Sequence, residues 1–244
     1  MRRKKMILGC CCLLMAAGLI SFAPQTKFSA PGDIEGAWEI AGNPRKVALL
    51  IDGYFTVTVF RQQAPEFIST MGGTFSYEGS MISGTLEFNS EAPQQVGEHF
   101  SLPIKLNGDQ LTVTYDDGRS EKWTRVDNAS DNLAGVWRIT RRKNDGKMNE
   151  IPLRARRTLK ILTGTRFQWA AINVETGEFS GTGGGTYTFK NGKYTENIEF
   201  FSRDNSRVGM SLSFEGDLQG DDWHHQGKSS KGDPIYEVWS RFLQ

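Results

Sequence analysis

The chain of 244 residues has only three cysteines, Cys10, Cys11 and Cys12, all within its first 23 positions. With that segment removed no thiol remains, which excludes disulfides, cysteine nucleophiles, thiolate zinc sites and iron–sulfur clusters together. Histidine is as scarce, with three in the whole chain, two of them adjacent as His224-His225. A serine triad or a histidine-rich metal site has little to draw on, and neither Gly-x-Ser-x-Gly nor His-Glu-x-x-His occurs. An excess of one charge sign is also missing: 29 Lys+Arg face 28 Asp+Glu. Nucleic acid is therefore a poor partner. Gly227-Lys228-Ser229 lacks the upstream glycine of a phosphate loop, since position 222 is Asp222. The Gly181–Gly185 run has no βαβ context and reads as a bend in a strand. The reading is a non-enzyme, with no catalytic residues, no metal and no cofactor.

What is present begins with a targeting segment. Arg2, Arg3, Lys4 and Lys5 precede an apolar stretch from Met6 to Ala23 that ends Ser21-Phe22-Ala23. This is the pattern of a secretory signal cut after Ala23, with an uncleaved N-terminal anchor as the alternative. Ile7-Leu8-Gly9-Cys10 resembles a lipobox, but only Met6 separates it from the basic run. Residues 1–23 are thus expected to export the chain to the periplasm or beyond, and 24–33 to form a linker. Any membrane contact would run through this segment alone. Without its four basic residues the net charge falls to about −3, too little basic charge for a hold on anionic lipid.

An internal repeat governs the rest. At an offset of 112, Glu66-Phe67 falls on Glu178-Phe179, Gly72-Gly73-Thr74 on Gly184-Gly185-Thr186, and Glu87-Phe88 on Glu199-Phe200. Of the 55 positions from 55 to 109, 16 are identical without a gap. Gly36-Ala37-Trp38 matches Gly135-Val136-Trp137, and Trp123-Thr124-Arg125 matches Trp239-Ser240-Arg241, at shifted registers. The shifts place a basic, turn-rich insertion near Arg141–Arg156, read as a solvated loop with contact to an anionic partner as the alternative. Two homologous domains follow, 34–126 and 133–242, joined by the polar linker 127–132. Each carries a complete set of apolar positions and is expected to fold alone.

Within each copy the hydrophobic period is two. Phe55, Val57 and Val59 alternate with Thr56 and Thr58, and Ile82, Gly84, Leu86 and Phe88 alternate with polar residues. Asn107-Gly108 and Asn191-Gly192 mark tight hairpins. No amphipathic helix stands out. The fold class is all-β, with two tandem up-and-down antiparallel barrels of about eight strands each.

Gly-x-Trp on the first strand and Arg near the end of the last resemble lipocalin-like, calycin-type barrels. That resemblance implies that the Arg packs over the Trp and closes the barrel base, pairing Trp38 with Arg125 and Trp137 with Arg241. Thr165-Arg166-Phe167-Gln168-Trp169, Gly183-Gly184-Gly185-Thr186-Tyr187 and Trp223-His224-His225 extend the likeness to a secreted bacterial lipocalin-like domain family of unknown function. It is clearest over residues 133–242, with 34–126 a diverged second copy. It implies the fold and no reaction.

Positions in phase with apolar residues in both copies should face inward. In the second copy these are Phe167, Trp169, Tyr187, Phe189, Tyr194, Ile198, Phe200, Met210, Leu212 and Trp223. Two polar residues share the phase: Glu196 stands where the first copy has Gly84, and His225 where it has Val113. They form either a hydrogen-bonded core network or the polar part of an aromatic-lined pocket. The expected ligand site is Trp169, Tyr187, Tyr194, Glu196, Met210 and His225, holding a small lipid-like or aromatic molecule in the second barrel. The first barrel is expected to be the more closed copy. The competing reading is an interaction module with filled barrels that acts through its surface.

Overall fold

Short alternating segments broken by Gly-containing turns leave the chain no choice but strands. The computed structural model describes residues 34–229 and 231–242. The signal, anchor, lipobox and 24–33 linker expectations lie outside the described residues. Eight strands form the first barrel: β1 (Gly36–Ile40), β2 (Arg45–Ile51), β3 (Tyr54–Arg61), β4 (Glu66–Glu78), β5 (Met81–Asn89), β6 (His99–Asn107), β7 (Gln110–Thr114) and β8 (Ser120–Asp127). Each pairs with the next, and β8 returns to β1. The second barrel uses β9 (Gly135–Asn144), β11 (Arg156–Leu162), β12 (Arg166–Asn173), β13 (Phe179–Lys190), β14 (Lys193–Phe201), β15 (Ser211–Gln219), β16 (Asp222–Lys228) and β17 (Pro234–Arg241). It closes through β17 on β9. The result is two closed, eight-stranded antiparallel barrels in tandem, the architecture of lipocalin-like barrels. Closure removes the sheet edges that would otherwise invite pairing with other chains.

The turn chemistry matches. Asn191 and Gly192 both take positive φ, 52° and 71°, as the two-residue hairpin between β13 and β14 requires. The basic insertion differs from expectation. It is a hairpin rather than a loop, with β9 continuing past the barrel rim to pair with β10 (Lys147–Glu150).

A second difference concerns strand phase. Simple alternation puts Phe88 and Phe200 inside their barrels. A β-bulge in each copy, opposite Gly72-Gly73 and Gly184-Gly185, inserts one residue, Glu87 or Glu199, and flips everything after it to the other face. Gly73 permits the close approach there, since a Cβ on it would lie 2.0 Å from the Thr85 carbonyl oxygen. Both phenylalanines therefore point out of their barrels and toward each other's barrel.

What they meet is a third core, between the barrels. Val47, Leu49, Ile51, Phe60 and Phe88 of the first barrel pack with Val136, Leu159, Ile161, Ile172 and Phe200 of the second. Phe60 and Phe200 have ring centroids 5.0 Å apart, and Phe67 stacks on its own repeat equivalent, Phe179, at 6.3 Å. Equivalent residues meeting each other is the signature of a pseudo-two-fold, isologous contact. This explains why the segment 47–51 is apolar at every position: it is buried on both faces. At the centre the Gln168 amide makes three hydrogen bonds, accepting from Thr58 Oγ1 at 2.9 Å and donating to Thr70 Oγ1 at 2.9 Å and Thr182 Oγ1 at 3.0 Å. All four side chains are buried. Asp127 ties the end of β8 to the second barrel, accepting from the Gly164 and Thr165 backbone N–H groups at 2.9 and 2.8 Å. The two barrels are thus one packed body, which runs against independent folding of the halves.

Candidate functional site

Both barrels are closed at one end by the same pair. Arg125 stacks over the Trp38 ring and Arg241 over the Trp137 ring, each with its guanidinium carbon 4.1 Å from the ring centroid. The indoles are fully buried and donate Nε1–H to the Ile34 and Leu133 carbonyls at 2.9 and 2.8 Å. Trp38 lies opposite Arg125, and Trp137 opposite Arg241, across the strand pairs that close the barrels. A cation over a desolvated ring adds about 0.5–2 kcal/mol to the burial. These four residues close the structure and face no ligand space.

In the second barrel the structure brings four of the six expected ligand residues into the interior and then consumes them. Glu196 is buried and accepts from Lys160 Nζ at 2.8 Å and from the Tyr194 hydroxyl at 3.0 Å. Burial, then the Glu196 charge, push the Tyr194 phenol well above its ordinary range, so it stays a donor. Tyr187 donates to the Thr163 carbonyl at 2.6 Å. Lys160 Nζ also sits 5.0–5.2 Å from the Tyr194, Trp223 and Trp239 ring centroids. His225 packs against Phe214 at 4.2 Å and Trp223 at 5.0 Å, with neither ring nitrogen hydrogen-bonded. Burial, then the Lys160 charge, hold its imidazole well below 6.5, in the neutral form. Trp169 and Met210 are only partly buried against this cluster. Of the polar pair expected for a ligand, Glu196 is thus ion-paired with a lysine in an aromatic box, and His225 is a neutral ring packed among the others.

The apolar cavity lies in the other barrel, the one expected to be more closed. It has a volume of about 310 Å³ and is walled by side chains including Leu50, Phe55, Phe100, Leu111, Val113 and Trp123. Gln95, Glu98 and Tyr115 line it on the connections β5–β6 and β7–β8, at the end opposite the Trp38–Arg125 closure. Tyr115 is anchored there by donating to Glu121 at 2.8 Å, and Glu121 is in turn paired with Lys46. Inside, Trp123 is 4% exposed and its Nε1–H finds no acceptor. A buried donor left unpaired costs about 1–3 kcal/mol, so a cavity wall is an informative place to find one.

The repeat explains the reversal. Position for position, Ala48, Gly84 and Val113 of the first barrel correspond to Lys160, Glu196 and His225 of the second, and Leu111, Ile82 and Leu102 to Trp223, Tyr194 and Phe214. The second barrel carries the larger residue at every one of these inward positions. Lys160 is the residue the sequence reading missed. Alignment with Ala48 identifies it as inward-facing, and an inward Lys is the natural partner for an inward Glu.

Comparison with family models and with curated proteins returned no match to this chain. Among the described residues no group of three or more His, Cys, Asp or Glu side chains could hold a metal ion. No helix among them is long and apolar enough to cross a membrane.

Proposed function

We propose that the protein is an exported, non-enzymatic binding protein of the secreted lipocalin-like type, holding one small apolar or amphiphilic ligand in its first barrel. The observation that carries this is the 310 Å³ apolar cavity with one unpaired indole donor in its wall. An apolar concavity with a few polar groups is the usual composition of a ligand site, and this volume is at the small end of the ~300–1,000 Å³ range. The ligand is then a short acyl chain or a single-ring compound bearing one acceptor for Trp123 Nε1–H. Its polar end, if it has one, meets Gln95 and Glu98. The packed second barrel serves as the rigid partner of the first. Its filled interior is also what an interaction module acting through its surface would have.

Titration of the intact protein with the neutral fluorophore N-phenyl-1-naphthylamine tests the proposal. Binding should be saturable at one site and weakened tenfold or more by Leu111→Trp, which installs the bulk found in the second barrel. Displacement of the fluorophore by 2-decanone should weaken about three- to tenfold in Trp123→Phe, the worth of one hydrogen bond. Saturable binding that ignores Leu111→Trp would place the ligand elsewhere and defeat the reading.

A further inference from the structure

The basic insertion and its neighbours build a second concave site on the outside of the second barrel, independent of the cavity above. A pocket of about 260 Å³ is lined by five arginines: Arg138 and Arg142 on β9, Arg156 and Arg157 on β11, and Arg203 just after β14. Two of the five are neutralised. Arg157 pairs with Glu87 at 2.7 Å and Arg142 with Glu237 at 2.6 Å. The other three form no salt bridge among the described residues. Arg138 donates only to the Ile139 and Ile151 carbonyls, and Arg203 only to the Ser180 carbonyl.

This is an arrangement that a folded chain does not assemble for stability. Like charges around one concavity repel, and the repulsion grows as solvent is excluded. Burial, and then the charge of Arg157, hold the Arg138 guanidinium below its ordinary range. Arg157 Nε is buried and has no acceptor. A guanidinium fork matches the oxygens of phosphate and sulfate in a bidentate way that an ammonium does not. The remaining wall is mixed, with Thr158 and Ser180 among it and an apolar side formed by Ile139, Ile151 and Pro152. We propose that this pocket is a binding site for a phosphate-type oxyanion, with Arg138, Arg156 and Arg203 supplying the charge and the Ile151-Pro152 wall taking a short carbon substituent.

The oxyanion is either free in solution or a phospholipid headgroup, and two probes on the intact protein separate them. In calorimetry at constant ionic strength, inorganic pyrophosphate should bind with one-to-one stoichiometry. Arg156→Ala and Arg203→Ala remove exposed side chains that form no salt bridge among the described residues, and each should weaken binding about tenfold or more, the worth of charged hydrogen bonds. Arg138→Lys keeps the charge, loses the fork, and should also weaken it. Arg119→Ala, in the first barrel and paired with Asp117, should change nothing. Co-sedimentation with phosphatidylglycerol vesicles, but not phosphatidylcholine vesicles, that is lost in Arg156→Ala while soluble pyrophosphate fails to bind would assign the headgroup. Absence of binding to both probes overturns the site, as does binding that survives all three pocket substitutions or falls equally with Arg119→Ala.

Discussion

The two barrels share a strand plan, a Trp–Arg closure and a bulge with its glutamate, yet one holds an apolar cavity and the other an aromatic core around a buried ion pair. The difference comes from a few inward positions. Where the first barrel places Ala48, Gly84 and Val113, the second places Lys160, Glu196 and His225, and three aliphatic residues become Trp223, Tyr194 and Phe214. An eight-stranded barrel is just wide enough to be filled by side chains or to hold one small ligand, so side-chain volume alone decides between them. Duplication kept the frame in both copies while their interiors diverged.

The largest test of this comparison is to separate the barrels. Residues 24–127 and 133–244 expressed alone would each expose the shared apolar face, including Phe60, Phe88, Ile161 and Phe200. At about 1.5–3 kcal/mol per buried side chain, that loss rivals the ~5–15 kcal/mol stability of a typical domain. Neither half should show a cooperative thermal transition alone, and mixing the two should restore one. A half that melts cooperatively near the temperature of the intact chain would show that the inter-barrel core is dispensable.

Next in size is the ion pair of the filled barrel. Glu196→Ala leaves Lys160 charged and buried without its carboxylate, and chemical denaturation should report a loss of about 3–5 kcal/mol. The double replacement Lys160→Met with Glu196→Leu should recover most of that, because an apolar pair of similar volume avoids the desolvation cost. Naphthylamine binding should persist in the double variant. If it vanishes, the second barrel is the ligand site after all.

Acid should act on the second barrel before the inter-barrel joint. His225 is neutral and buried in the native state but free to take a proton when unfolded. Its contribution is full above an unfolded value of about 6.5 and falls with pH below that, at up to ~1.4 kcal/mol per unit. Urea midpoints measured from pH 7 to 5 should decline, and His225→Phe should flatten that decline. Asp127 titrates in a lower window. Burial raises its carboxyl, but hydrogen bonds from Gly164, Thr165, Ala129 and Thr163 outweigh this and hold it below its ordinary range. Stability from Asp127 is therefore present above about 3.9 and lost as pH falls through the depressed native value.

The smallest effect is the closure pair. A double-mutant cycle of Trp137→Ala and Arg241→Ala should give a coupling of about 0.5–2 kcal/mol, and the Trp38–Arg125 cycle a similar one. Equal values would show that both closures are worth the same whether the barrel above is hollow or filled.

The sequence alone determined the all-β class, the duplication and the inward placement of Glu196 and His225, because period two and an ungapped repeat are local, countable signals. The two Trp–Arg closures were legible only through the resemblance to lipocalin-like barrels. It also held the evidence for Lys160, which alignment with Ala48 places inside. Three things were decided only in the folded molecule. The bulges at Glu87 and Glu199 reversed strand phase, and bulges leave no mark in simple alternation. The shared core between the barrels drew on residues whose burial depends on a partner surface far away in the chain. The site of the cavity depended on summed side-chain volumes around a closed ring of strands, so no single position announces it. Period fixes which way a side chain points; only the closed barrel fixes how much space is left when all of them have pointed inward.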